Sequence, residues 1–502
     1  MAPLIVLLLT GAAPLQADEQ RWLEVRTENF TVRTNVKRER ALELAIDLEK
    51  YRFTIAYLSG LNTQGVPTVP VLVQAYRSDQ QYLDATDAFG TAGFYVPRPS
   101  GAMSALSLED GEEAWDLSGK RVLFHEYTHH ILHQFSPLNY PRWYDEGFAE
   151  YMATMEFDDD VAVIGHLALH RAPMLKRVSD WLRAFEIIDS RGQYLSHIGS
   201  GTTRDPKRGK GGTAMQYAQG WLMVHFLHSK PELQQGIPRY LTAINRAHAD
   251  DEAVFEAAFG MNYKQFDRAL RRYWRDRDFR LGQVEIGSRM PPITPRVREI
   301  SALEADALVD EFAILQGAED QINARLARDR LRRCVDAGVR VREMRRALIE
   351  LALIEGDWDA AERQIEALLD EHPDSAVGMT AKVRLARSVS DDDLDRERAH
   401  ALREMIAEAI VSEPTYVPAL MQYADLSFEH DLDIDDNVAT VVDSIRFLAP
   451  ALDEGKVFQA RLLAHHGARD QAVELVDELI KWAQSDRQKV HYRELRASLA
   501  AN

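Results

Sequence analysis

The sequence predicts an α+β domain, with a small N-terminal sheet running into a helical half, followed by an all-α domain of helical repeats. Three observations carry this. From about residue 22 to 105, short strand-like runs alternate with helical spacing. From about 118 to 290 the apolar period is mainly helical, broken by a Gly/Lys/Thr-rich stretch near 199–213. Beyond a linker marked by Pro291, Pro292 and Pro295, the chain is helical nearly to its end. At 502 residues the chain is too long for one core.

The first 17 residues read as a secretory signal. Leu4 to Leu9 are all apolar, Ala12, Ala13 and Ala17 are small, and Asp18-Glu19-Gln20 opens the polar chain. No Lys or Arg precedes the apolar run, and no cysteine stands near the cleavage site. The run is too short to cross a bilayer. The expected mature protein is secreted or periplasmic, with no transmembrane span.

Elements follow in order. Phe30 and Val32 suggest a strand. Leu44, Leu48, Tyr51 and Ile55 form one stripe of a helix over 41–58. Val69 to Ala75 reads as a buried strand, and 93–96 and 101–108 as two more, separated by Pro97 and Pro99. The helical half then spans 118–290 and the repeat domain 296–502.

Charge narrows the function. The chain carries 60 basic against 79 acidic residues, a net charge of −19, the wrong sign for nucleic-acid binding. The local cluster Arg204, Lys207, Arg208 and Lys210 reads as a solvated loop. A single cysteine, Cys334, excludes an intrachain disulfide.

In the C-terminal region, Gly356 and Ala361 are echoed 111 residues later by Gly467 and Ala472, three steps of about 37. Pro373, Pro414 and Pro450 punctuate the stretch. Small residues allow close helix contact, and each proline follows a helix end. The pattern resembles a degenerate tetratricopeptide (TPR) array, which implies a protein partner held by the repeats; a plain helical bundle is the alternative.

Chemistry concentrates at Val122-Leu123-Phe124-His125-Glu126-Tyr127-Thr128-His129-His130. On a helix His125 and His129 lie one turn apart and converge on one ion, while Leu123, Tyr127 and Ile131 pack into a core. Glu126 sits at the edge, suited to take a proton from water. His130 and His133 are read as non-ligands. Downstream comes Trp143-Tyr144-Asp145-Glu146-Gly147-Phe148-Ala149-Glu150-Tyr151.

These two runs resemble the gluzincins, zincin-type metallopeptidases with an HExxH…E site, closest to the peptidase-MA-like group, over about residues 22 to 280. The resemblance implies Zn2+ held by His125, His129 and Glu146, 17 positions after His129. Three protein ligands leave a fourth position open. It further implies Glu126 as catalytic base, Glu150 as the carboxylate steadying a ligand histidine, and Tyr217, three residues before Gly220, as catalytic donor to an oxyanion. Gly101-Ala102-Met103-Ser104-Ala105 is similar to the strand that grips a substrate's amine in the aminopeptidase branch. Ser104 replaces that branch's Glu, which turns the expectation to internal cleavage. The function expected is zinc-dependent endopeptidase action on a peptide or protein substrate. Two alternatives stand: a catalytically silent protease-fold and TPR peptide-binding scaffold, or a zinc amidase acting on cell-wall material.

Overall fold

In a computed structural model of the chain, residues 21–63, 68–86, 92–96, 98–109, 118–136, 138–188, 213–246, 251–317, 321–338, 342–389, 394–450, 452–483 and 485–501 are described. The expected signal, the basic cluster and most of the 199–213 stretch lie outside them.

Strands β1 (Trp22–Arg26), β2 (Phe30–Thr34), β3 (Val71–Tyr76), β4 (Gly93–Val96) and β5 (Met103–Ser107) join a sheet ordered β4-β5-β3-β2-β1, with one more strand beyond β1. Side chains alternate across it, as period two requires. Val71, Val73 and Ala75 enter the main core with Leu44, Leu48, Tyr51 and Ile55 of α1 (Arg38–Ser59) and with Phe124 of α3 (Gly119–Phe135). Helix α2 (Asp79–Thr86) lies on the other face, where Tyr82 meets Tyr76, Met103 and Ala105. Tyr51 fixes α3 on α1. Its ring stacks on Phe124 at 3.8 Å, and its hydroxyl donates to the Phe124 carbonyl at 2.9 Å.

The helical half holds α4 (Arg142–Met152), the short α5 (Ala172–Leu175) and α6 (Ala184–Ile187), then α7 (Thr213–His228), α8 (Pro231–Gln234), α9 (Gly236–Ile244), α10 (Asp251–Phe259) and α11 (Tyr263–Asp276). It also holds a second sheet that helical periodicity hides: β6 (Glu156–Asp158), β7 (Val161–Ile164) and β8 (Gly282–Glu285). The β6–β7 turn places Asp159 at φ 47°, a left-handed conformation that Asp tolerates in tight turns.

The sixth strand, β9 (Arg296–Ile300), changes the domain picture. Sequence places residue 296 at the head of the repeat domain, but Arg296–Ile300 pairs antiparallel with β1. The first helix after it, α12 (Ala302–Gly317), covers the sheet with α2: Ala305 and Leu308 pack with Trp22, Tyr76 and Ile300. Buried charge reinforces this. Arg33 of β2 meets Glu24 at 3.1 Å and Glu311 of α12 at 3.6 Å.

The remaining helices form successive pairs: α12 with α13 (Gln321–Asp336), α14 (Arg342–Glu355) with α15 (Trp358–Glu371), and α16 (Ala376–Val389) with α17 (Arg396–Ser412). Then come α18 (Val417–Glu429) with α19 (Asp436–Leu448), α20 (Asp453–His465) with α21 (Arg469–Trp482), and a last helix α22 (Asp486–Ala501). The first helices α12, α14, α16 and α18 also touch in succession, as in TPR-like arrays. Gly356 and Gly467 turn within their pairs at φ 69° and 79°, where a side chain would be strained, and Ala361 and Ala472 are fully buried in the second helix of each. Pro373, Pro414 and Pro450 all fall between helices.

Candidate metal centre

Helix α3 starts on Ser118, whose hydroxyl accepts from the Arg121 N–H at 3.3 Å. Two turns on, His125 and His129 share a face, and their Nε2 atoms lie 3.2 Å apart. Helix α4 packs beside α3 and brings up Glu146, whose Oε2 is 3.3 Å from His125 Nε2 and 3.4 Å from His129 Nε2. Atoms bound tetrahedrally to one ion at about 2.0–2.1 Å stand about 3.3–3.4 Å apart. The triangle has that size. The buried Oε2 of Glu146 accepts no hydrogen bond among the described residues, an orphaned acceptor that a cation would satisfy. Burial pushes the Glu146 carboxyl up, but the two histidines outweigh it and bring it down to about 2.

Around the triangle stand two carboxylates. Asp145 accepts from His129 Nδ1 at 3.0 Å and lies 3.2 Å from His133 Nε2. Burial would raise its carboxyl, but both histidines hold it well below the usual range. Glu150 lies 3.5 Å from His125 Nδ1 and accepts from His170 at 2.9 Å and from Arg171 Nε at 3.1 Å. Burial opposes its charge, yet the His170 and Arg171 hydrogen bonds win and lower it to about 2. Each histidine of the triangle thus has its far ring nitrogen facing a carboxylate, which sets its tautomer and aim.

Glu126 stands beside the triangle and is not one of its three converging groups. Burial raises its carboxyl above the ordinary range, the two histidines oppose that, and Glu146 and Glu150 add to it. Tyr217 comes from α7, and its hydroxyl donates to Glu146 Oε1 at 3.2 Å. Arg171 lies over the Tyr217 ring, 5.0 Å from its centroid. The approach of α7 depends on two glycines: a Cβ on Gly147 would stand 2.4 Å from the Gly220 carbonyl oxygen. That is why each helix carries glycine close to its polar residue.

His125, Glu126, His129, Glu146, Glu150 and Tyr217 therefore meet in one place. Ser104 does not join them: β5 is an interior strand between β4 and β3, and the buried Ser104 hydroxyl donates to the Phe94 carbonyl at 2.7 Å. His130 is taken up by the Tyr95 hydroxyl, 2.5 Å from its Nδ1. Sequence reasoning missed Asp145, His170 and Arg171. Only Asp145 had a local signal, its place beside Glu146; the other two reach Glu150 through the fold.

No protein-family model matches the chain, and no curated protein does. Among solved structures, it is similar to a thermophilic TPR protein of Thermus thermophilus, at 16% identity over 40% of this chain and 100% of that one, TM-score 0.30. It is also similar to yeast Tom70, at 12% identity over 75% of this chain and 77% of that one, TM-score 0.32. The repeat architecture is read from the pairing of α12 to α22 themselves. No helix among the described residues is long and apolar enough to cross a membrane.

Proposed function

We propose that this chain is a zinc-dependent peptidase, cleaving within peptide or protein substrates in a secreted or periplasmic setting. The observation that carries the reading is the triangle of His125, His129 and Glu146, sized for one tetrahedral ion and holding an orphaned carboxylate oxygen. Zinc bound there would act as a Lewis acid toward a scissile carbonyl. Asp145 and Glu150 hold the ligand rings in the tautomer that leaves Nε2 free. Glu126, its carboxyl raised by burial, takes the proton of the attacking water and returns it to the leaving amine. Tyr217 has its pKa raised to about 12 by burial and by Glu146, so it keeps its proton and can donate to a developing oxyanion.

The test is Glu126→Gln. It should keep one zinc per chain and lower hydrolysis by about 10²–10⁴-fold. Undiminished hydrolysis would exclude Glu126 as base. A second reading, a catalytically silent scaffold that binds peptides, draws on the array of helix pairs. It predicts a purified protein without stoichiometric zinc. A zinc amidase acting on cell-wall material shares the same site and is separated by assaying cell-wall fragments beside peptides.

A further inference from the structure

We propose that Arg171 is a positioning residue: it fixes the Tyr217 ring against the carboxylate behind His125, so that the oxyanion donor and the metal ligands are held as one unit. This deepens the peptidase reading and rests on it.

A closed ring of side chains runs through the centre. His125 Nε2 lies 3.3 Å from Glu146 Oε2, and the other oxygen of Glu146 accepts from the Tyr217 hydroxyl at 3.2 Å. The Arg171 guanidinium lies over the Tyr217 ring, 5.0 Å from its centroid. Its Nε and Nη2 donate to Glu150 Oε1 at 3.1 and 2.5 Å. The same oxygen lies 3.5 Å from His125 Nδ1, which closes the ring. Within it, Arg171 is the link from Tyr217 to Glu150.

The backbone under Arg171 is set. Its N–H donates to the Ala168 carbonyl at 2.9 Å, and its carbonyl accepts from the Met174 N–H at 3.0 Å. This segment rests on the helix that carries Tyr217: α5 packs against α7, and the Gly165 carbonyl lies 2.9 Å from Nε2 of His225 on α7. From that base the side chain crosses to Glu150 on α4. Charge and shape divide the work. The charge goes to Glu150, whose side chain is 3% exposed, and the flat face goes to the ring. A guanidinium donates in its plane and stacks with its face. A lysine ammonium is a point charge that keeps the carboxylate and gives up the ring. A donor to a developing oxyanion acts only from a fixed place, since a misplacement of about 1 Å costs on the order of 10²-fold.

The experiment uses the full chain with zinc, and fluorescein-labelled casein as the substrate. It compares the parent with Arg171→Lys, Tyr217→Phe and the double variant. Arg171→Lys should keep one zinc per chain and an unchanged KM, while kcat falls about ten-fold. Tyr217→Phe should lower kcat by about 10²-fold. Adding Arg171→Lys to it should cost nothing further, because the hydroxyl being positioned is gone. A crystal structure of Arg171→Lys should show Tyr217 turned away from Glu146. Additive losses, zinc lost from Arg171→Lys, or a Tyr217 that stays in place would overturn the proposal and leave the peptidase reading standing. A parent without zinc or without hydrolysis would overturn the peptidase reading instead. The place of Tyr217 in Arg171→Lys then still decides whether Arg171 holds the ring.

Discussion

Asp145 stands one position before the carboxylate that faces both histidines, and its own carboxylate grips the far side of His129 at 3.0 Å. Such partners orient a ligand ring and raise its basicity, and their loss commonly costs about 10- to 100-fold in metal affinity. Asp145→Ala is therefore expected to weaken zinc binding by about that factor while leaving the fold intact, measured by competition with a chromogenic chelator. Unchanged affinity would remove Asp145 from the centre. Glu150 differs, because His170 and Arg171 both donate to it as well. Glu150→Ala should weaken zinc binding and also destabilise, by about 1–3 kcal/mol, since it takes the acceptor from the buried His170 and the half-buried Arg171.

The element that sets the site is the crossing of α4 and α7 at Gly147 and Gly220. Alanine would suit an α-helix by about 1 kcal/mol over glycine. Here that gain is outweighed, because a Cβ at Gly147 would sit 2.4 Å from a backbone oxygen that cannot swing aside. Gly147→Ala should cost about 1–3 kcal/mol net and move Tyr217 off Glu146. The check is a lower melting temperature together with a lower kcat; a stabilised variant would contradict the packing. These crossings explain how much of the site was legible. His125 with His129, and Glu146 with Glu150, lie one helical turn apart, so the shared face of each pair follows from the sequence, while the meeting of the two pairs needed the resemblance. Tyr217 needed the resemblance, because nothing in its own helix says which helix it crosses. His170 and Arg171 sit past a hairpin, and nothing in their local spacing says that they turn back to Glu150. The repeat was legible for a local reason: Gly356 and Gly467 mark left-handed turns, and the prolines mark breaks between helices.

At the scale of the whole molecule, the sheet and the array are not separable parts. Strand β9 and helix α12 come from beyond the proline linker and bury Trp22, Tyr76 and Ile300, while Glu311 shares Arg33 with Glu24. A chain ending at residue 300 would uncover that apolar face and take Glu311 away from Arg33. It is expected to aggregate or melt well below the full chain in a thermal scan, and an equally stable fragment would refute the coupling. The array also carries its own pH response. Burial and then Glu429 raise Asp425 to about 6, against the pull of Arg387. The folded state therefore holds this proton more tightly than the unfolded chain, whose carboxyl titrates near about 3.9. The stability tied to it is full below that value and is lost as pH rises through about 6. With the side chain 28% exposed, Asp425→Asn should gain about 1 kcal/mol at pH 8 and about half of that at pH 5. A gain that does not change with pH would show that Asp425 is not the group responsible.

The function turns on whether one ion occupies the triangle of His125, His129 and Glu146. The direct measurement is zinc content per chain in purified protein, taken in parallel on the parent, Glu126→Gln, His125→Ala and Glu146→Ala. One zinc is expected in the first two, and loss of it in the last two. Zinc absent from the parent, or retained after His125 or Glu146 is removed, would contradict the metal centre.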